Sequence, residues 1–423
     1  MTIVKDIKSA NLCIGSGYCA SLVGGSMVLD DAGFLVPSND STALSAEKEA
    51  LVKPSCPGIR GDSVFTQTDV EPGARFDQMW GRYFLASVGH STDRDIRHLG
   101  SSGGALTGIS NWLVESGQVD GVLVTGYDAD YPIGTRSRIT ADHEEIRQGA
   151  GSKYCPAAPL AGLSDVRRGE GQYAVVGRPC DIATLRRAIN AGDPISKNIK
   201  FLLLFFCAGT PSDTGNLHLL TRLGVEKRDD VVQLQHRGNG WPGDTVAELG
   251  DGTVKTCTYN ESWSGVLRRH THSLCKICAD GIGEQADIIA AGAWYGDDEG
   301  YPVFSEADGG SLIVARTTVG RDVLRHAISA GTLAVDDLDV RAIDQMQPGQ
   351  LARRRQLGVR FAAYRLMGQR VPKYRRAALK QYSRGQSLVR KIVMFSATIS
   401  RLLRARRSEF GRSKDGHLRN AFF

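Results

Sequence analysis

Hydrophobic positions along the chain change period several times. Apolar runs bounded by glycine or charge, DGVLVTG (120–126), YAVVG (173–177), IKFLLLFFC (199–207) and ADIIAAGAW (286–294), lack strict alternation and read as strands buried on both faces. Between and after them lie stretches of helical period: Ala105 to Glu115, DIATLRRAIN beyond Cys180, and Asp213 to Leu223. This succession predicts an α/β chain with α+β elements, a mixed sheet core carrying helices. Residues 231–300 differ, since the short alternating runs VVQLQHRG, DTVAELG and TVKTCTY, bounded by Gly, Asn and Pro, predict an antiparallel segment. Gly310 to Val335 reads as strand then helix and closes the core. The pattern divides the chain into a small, loop-rich, ferredoxin-like module (1–75), a core (76–350) and a basic helical tail (351–423) whose amphipathic stretches break at Val371-Pro372 and near Gly385.

Charge sharpens that division. Of 52 Lys/Arg and 46 Asp/Glu in 423 residues, residues 353–423 hold 20 and 2, a net +18, which leaves 32 and 44, a net −12, in the rest. The tail therefore suits an acidic membrane surface, an acidic partner or the acidic body itself, and is expected to be separable from the core. No nucleic-acid motif accompanies it. The charged N-terminus lacks the apolar core of a signal peptide, and no apolar run approaches the ~18 residues of a membrane span, so a cytoplasmic protein is expected.

Nine cysteines in a reducing compartment point to metal or redox use. Cys275-Lys276-Ile277-Cys278 presents two thiols from one turn, half of a four-thiolate site. Cys180 and Cys207 each follow a strand-like run, and the carboxyl ends of strands in an open α/β sheet face a common crevice, so these two are expected to complete the site as one 4Fe–4S cluster. Cys155 is the reserve ligand, whereas Cys257, in an alternating strand, is excluded. His270 and His272 beside the CxxC make a mixed-ligand zinc site the chemical rival. Near the N-terminus, Cys13-x2-Ser16-x2-Cys19 with Cys56-Pro57 outlines a degenerate second site, either a three-iron or low-occupancy cluster or a loop that binds nothing.

Other segments suit a nucleotide cofactor. Ser101, Ser102, Gly103 and Gly104 open the helix at Ala105, where free N–H groups can take a phosphate or pyrophosphate; the alternative is a plain helix cap. Lys153 and Tyr154 end a glycine-rich loop and could meet a phosphate and a ring. The turn Asn239-Gly240-Trp241 offers an indole to a flat cofactor or packs it on its own domain.

Six motifs in order, SSGGALTGISNWLVESGQVDGVLVTG, GAGSKYCPA, VVGRPCDIATLRRA, FFCAGTPS, HRGNGWPG and CKICADGIGEQADI, make the chain resemble the coenzyme F420 hydrogenase/dehydrogenase beta-subunit family, whose relatives include 7-hydroxymethyl chlorophyll a reductase. The resemblance implies a flavin-dependent oxidoreductase with an iron–sulfur cluster next to FAD. Such a protein passes electrons between a one-electron carrier, ferredoxin-like or a partner subunit, and a two-electron small molecule such as coenzyme F420. Two departures stand out: Ser16 interrupts the ferredoxin-like run, and Ala291-Gly292-Ala293-Trp294 replaces a common Gly-Asp-Ala-Trp. The competing classes are a zinc-containing non-redox protein and an accessory enzyme of surface-polysaccharide biosynthesis.

Overall fold

The computed structural model describes residues 2–61, 71–294, 296 and 307–414. Two short hairpins come first, β1 (Met27–Leu29) with β2 (Leu35–Pro37) and β3 (Arg75–Asp77) with β4 (Gly81–Tyr83). The main sheet is built from β5 (Leu85–Ser91), β6 (Gly121–Asp128), β7 (Tyr131–Thr140), β8 (Tyr173–Gly177) and β9 (Ile199–Leu204), with β13 (Ile288–Gly292), β14 (Ser311–Ala315) and β15 (Leu333–Asp337). A separate antiparallel sheet of β10 (Val231–Gln235), β11 (Thr245–Leu249) and β12 (Val254–Cys257) occupies the stretch whose polarity alternates.

The order of the main sheet is β15-β5-β14-β13-β9-β8-β6-β7. Strands β6, β8, β9 and β13 are mutually parallel, and the flanking pairs are antiparallel, so the mixed α/β core expected from the pattern is present. Alternate residues serve two cores. Leu123, Val175, Leu202, Leu204 and Ile289 pack on one side with the helix Pro179–Asn190 and the N-terminal residues Val4, Tyr18 and Val52. Val122, Ala174, Phe201, Leu203 and Ile288 pack on the other with helices Ala105–Glu115 and Thr318–Ser329. Burial on both faces explains why these strands read as continuous apolar runs.

The N-terminal segment is fastened to this body through Tyr18, whose hydroxyl donates to Asp193 Oδ2 at 2.7 Å while Arg167 grips the same carboxylate through both terminal nitrogens. At the other end, the 350/351 division falls inside one helix, Pro348–Leu366, which buries Arg354, Leu357 and Phe361 against the body. A second long helix, Leu388–Lys414, lies against the first. Among the described residues no helix is long and apolar enough to cross a membrane.

Candidate functional site

The parallel strands β6, β8, β9 and β13 end on one edge, and two cavities open along it. Cys180 lies three residues beyond β8 and Cys207 three beyond β9. Both border a small cavity of about 60 Å³ together with Cys275 and Cys278, so the structure brings all four expected thiols to one place. The short helix Ser273–Lys276 carries Cys275 and ends before Cys278. Cys207 N–H donates to Gly281 O at 2.9 Å, tying the strand end to the loop after the CxxC, and Thr210 N–H donates to Cys275 Sγ at 3.4 Å. Gly209 has φ +136°, a conformation that favours glycine, and a Cβ added there would meet Thr271 Cγ2 at 3.1 Å and Cys275 Cβ at 3.4 Å. Gly281 is tighter still, since an added Cβ would meet Cys207 O at 3.0 Å and Gln350 Oε1 at 2.4 Å.

Burial governs the protonation of this site. It pushes the Cys278 thiol up to about 12 and Cys180 well above its ordinary value, so the unliganded thiols are neutral and metal binding must displace their protons. Arg178 supplies a fixed positive charge. It is buried, donates to Asp181 through two nitrogens at 2.7 and 2.9 Å and to Thr210 Oγ1 at 3.0 Å, and stays protonated despite burial because it faces the Asp181 carboxylate. Asp280 borders the same cavity, and its buried Oδ2 has no hydrogen-bond partner among the described residues; burial, and then Glu284, raise its acid. A neutral carboxyl there can donate to a group filling the cavity.

Four thiols around one cavity are the donor type of an iron–sulfur cluster. Among the described residues no three His, Cys, Asp or Glu side chains gather closely enough to hold one metal ion. A mononuclear zinc needs every donor within about 2.0–2.3 Å of one point, whereas a cluster takes each thiolate on a different iron and spreads them. The histidines of the zinc alternative face elsewhere: His272 Nδ1 accepts from Leu274 N–H at 3.1 Å, and His270 Nε2 lies 3.1 Å from His218 Nδ1.

Two arginines from the segment expected to stand apart help to build this wall. Arg353 donates to Cys207 O at 3.0 Å and to Ala208 O, and Arg360 donates to Lys276 O at 2.7 Å. Gln350 adds a second donor to Cys207 O at 2.9 Å. The start of the basic tail therefore contacts the cysteine site, its arginines donating to carbonyls at the strand end and in the CxxC turn.

The second cavity, about 320 Å³, falls in the size range of small-molecule sites. Ser101, Ser102 and Gly104 to Thr107 border it at the N-terminus of the helix Ala105–Glu115, where main-chain N–H groups are offered to an anion. Gly103 turns the other way: its N–H donates to Ser311 Oγ at 3.0 Å, and a Cβ there would lie 2.7 Å from Gly89 O. Lys153 and Tyr154 line the cavity, but the lysine ammonium donates to Gly149 O at 3.1 Å and Ala150 O at 2.7 Å instead of projecting into open space. Burial lowers it to about 8. Cys155 borders this cavity and not the cysteine site. Cys257, excluded beforehand, ends β12 and borders neither.

In the turn beyond β10 the structure redistributes roles. Asn239 is exposed, and Asn239, Gly240 and Trp241 do not border the cavity; Trp241 is buried with its ring 5.0 Å from Trp294. Arg237, two residues earlier, does the bordering, donating to Pro242 O at 2.7 Å and to Ser101 O, with its guanidinium 4.7 Å from the Tyr259 ring and 5.1 Å from the Trp294 ring. Tyr259 and Trp294 are thereby held as aromatic walls. Arg237 belongs to the HRGNGWPG motif, in which the indole of Trp241 is the more conspicuous candidate.

Cys207, Gly209 and Thr210 border both cavities, so one turn forms the partition between them. A third, smaller cavity of about 30 Å³ gathers Cys13, Ser16, Cys19 and Cys56, and shares Ile14 and Pro57 with the four-cysteine cavity. Its thiols are close enough that Cys13 and Cys56, after burial, contribute to raising Cys19 to about 12. With three thiols and a hydroxyl this site does not fit a four-thiolate cluster.

Two family models match in tandem: the coenzyme F420 hydrogenase/dehydrogenase beta subunit N-terminal region over residues 86–164 and its C-terminal region over residues 170–341. The coenzyme F420 hydrogenase subunit beta of Methanothermobacter thermautotrophicus is 24% identical over 279 residues, 64% of this chain and 88% of that protein. The F420-dependent formate dehydrogenase 1 subunit beta of Methanococcus maripaludis is 26% identical over 219 residues, 51% of this chain and 54% of the relative. Among solved structures, a chain of the F420-reducing [NiFe] hydrogenase complex from Methanosarcina barkeri superposes with a TM-score of 0.54 at 19% identity, over 71% of this chain and 98% of that one, a likeness of fold.

Proposed function

Because the chain belongs to the coenzyme F420 hydrogenase/dehydrogenase beta-subunit family, we propose that it is an iron–sulfur flavoprotein oxidoreductase. In this reading it passes electrons between a one-electron carrier, ferredoxin-like or a partner subunit, and a two-electron small molecule of the coenzyme F420 type. The observation that carries the reading is the shared turn: four cysteines border one cavity, and Cys207 to Thr210 separate it from the larger cavity by a single stretch of backbone.

Cys180, Cys207, Cys275 and Cys278 would hold a 4Fe–4S cluster, and the cavity lined by Ser101, Ser102, Gly104, Tyr154, Arg237, Tyr259 and Trp294 would hold FAD. When bound, the two groups interconvert one-electron and two-electron steps. The chain's own residues do the rest. Arg178 would set a positive charge beside the thiolates and the N–H groups opening the helix at Ala105 would take the diphosphate, while Lys153 holds the carbonyls of the loop that shapes the cavity. Ile14, Pro57, Arg60 and Gly61 would close one side of the cysteine site, residues of the core would supply most of both linings, and Arg353 and Arg360 would anchor the cysteine turns. A cytoplasmic setting, in which thiols stay reduced, suits this arrangement.

Anaerobic purification followed by iron, sulfide and flavin analysis tests the reading. We expect about four irons in the four-cysteine site, one FAD, and loss of the broad visible absorption in Cys275→Ser but not in Cys257→Ser. Colourless protein with stoichiometric zinc and no flavin would refute it.

A further inference from the structure

We infer that the helix Leu388–Lys414 seats the protein on an anionic lipid surface. The helix has two apolar faces where a surface helix ordinarily has one. Lys391, Met394, Phe395, Thr398, Ile399 and Leu402 are covered positions on an arc of about 140° at the helical repeat toward the helix Pro348–Leu366, and Ser400 is half-buried on the other side. Leu388, Val389, Ile392, Val393 and Leu403 are instead 43–72% exposed. By the same repeat they occupy an arc of about 140°, centred away from the covered side and carrying also the exposed Ser396 and half-buried Ser400. Exposed Arg390, Arg401 and Arg404 run along one border of that stripe. Contact with the first helix fixes which side faces outward.

Charge decides the occupant. Residues 353–423 hold 20 basic and 2 acidic residues, so a second copy of the chain laid on this stripe would bring two strongly positive tails together. An anionic bilayer removes that repulsion and takes the leucine, valine and isoleucine side chains into its interface without a matching groove. The helix would lie in the plane of the interface, consistent with there being no spanning helix among the described residues. The inference is independent of the redox reading, since it uses no residue of either cavity.

The test uses the full chain as purified, sedimented with vesicles of phosphatidylcholine alone or with about a third phosphatidylglycerol. Binding is expected only to the anionic vesicles, weakening as salt rises from about 0.1 to about 0.5 M as surface charge is screened. Ile392→Glu combined with Val393→Glu should lower the bound fraction about ten-fold or more while leaving sedimentation of the free protein and its visible spectrum unchanged. No binding by the wild-type chain, equal binding to uncharged vesicles, equal binding by the double variant, or a wild-type dimer that the variant converts to monomer would each overturn the inference. So would saturation of the stripe by an acidic protein that leaves no vesicle binding.

Discussion

Arg353→Ala asks whether the basic tail serves the cysteine site. Arg353 makes two charge-assisted hydrogen bonds, to Cys207 O at 3.0 Å and to Ala208 O, at the turn that separates the cavities. Buried bonds of this kind contribute about 1.5–3 kcal/mol each. Arg353 is only half-buried, so solvent screening reduces the pair to about 2 kcal/mol in all. If both bonds break before the cluster leaves, that amounts to about a thirty-fold faster loss, at 1.4 kcal/mol per decade. The assay is anaerobic incubation with an iron chelator, following the decay of visible absorption. Arg355→Ala is the control: it removes the same charge from the same helix, and Arg355 makes no hydrogen bond or ion pair among the described residues. Its loss should quicken decay less than about two-fold. Equal decay in the two variants would refute the anchoring argument, whereas protein that purifies without iron would refute the cluster first.

Truncation separates the two parts of the tail: deleting 353–423 removes Arg353, Arg354 and Arg360 and should abolish the coloured soluble protein, while deleting 388–423 should keep its spectrum and lose vesicle binding. A separable tail from 353 onward would show the same spectrum in both. The buried His236, whose Nε2 lies 3.0 Å from Asn216 Oδ1, is lowered by burial and then by Lys153 to about 3. The unfolded chain therefore binds the extra proton first, so stability is lost as pH falls from about 6.5 towards 3, by up to about 1.4 kcal/mol per pH unit. Melting temperature should fall over that range, and His236→Gln should flatten the slope.

What the sequence disclosed follows from how local the cause was. Strands β6, β8, β9 and β13 were legible because burial on both faces leaves an unbroken apolar run, and the strand ends then fixed where Cys180 and Cys207 would emerge. The direction of a side chain was less legible. Lys153 resembled a phosphate ligand, yet the loop turns its ammonium onto Gly149 and Ala150, and Gly103 faces the sheet because β5 and β14 leave no space for a side chain. For that reason a bulky residue at 103 would probe sheet packing more than cofactor retention. Arg353 and Arg360 were beyond reach, since they meet carbonyls 146 and 84 positions away and nothing in an arginine-rich run says which members face inward. Only the folded chain sets that register.

The N-terminal trio turns on a single atom. Gly15 and Gly17 flank Ser16 with φ of +71° and +85°, and a Cβ at either would lie 2.5 Å from Leu35 O or Ala161 N, so the backbone around position 16 is fixed by neighbours that only glycine tolerates. Ser16 O also accepts from Leu160 N–H at 2.9 Å. Serine and cysteine differ little in shape, and Ser16 already borders the cavity with Cys13, Cys19 and Cys56. Ser16→Cys is therefore expected to supply a fourth thiolate without moving the loop. Iron per chain should rise by about four over the wild type, with a matching rise in sulfide, if the missing ligand is what limits the site. The four-cysteine variant Cys275→Ser in the same background isolates the effect, because any remaining iron must then sit at the N-terminus. Unchanged iron in Ser16→Cys would mean that the trio serves packing, with Cys19 and Cys56 held as neutral thiols against the helix Pro179–Asn190.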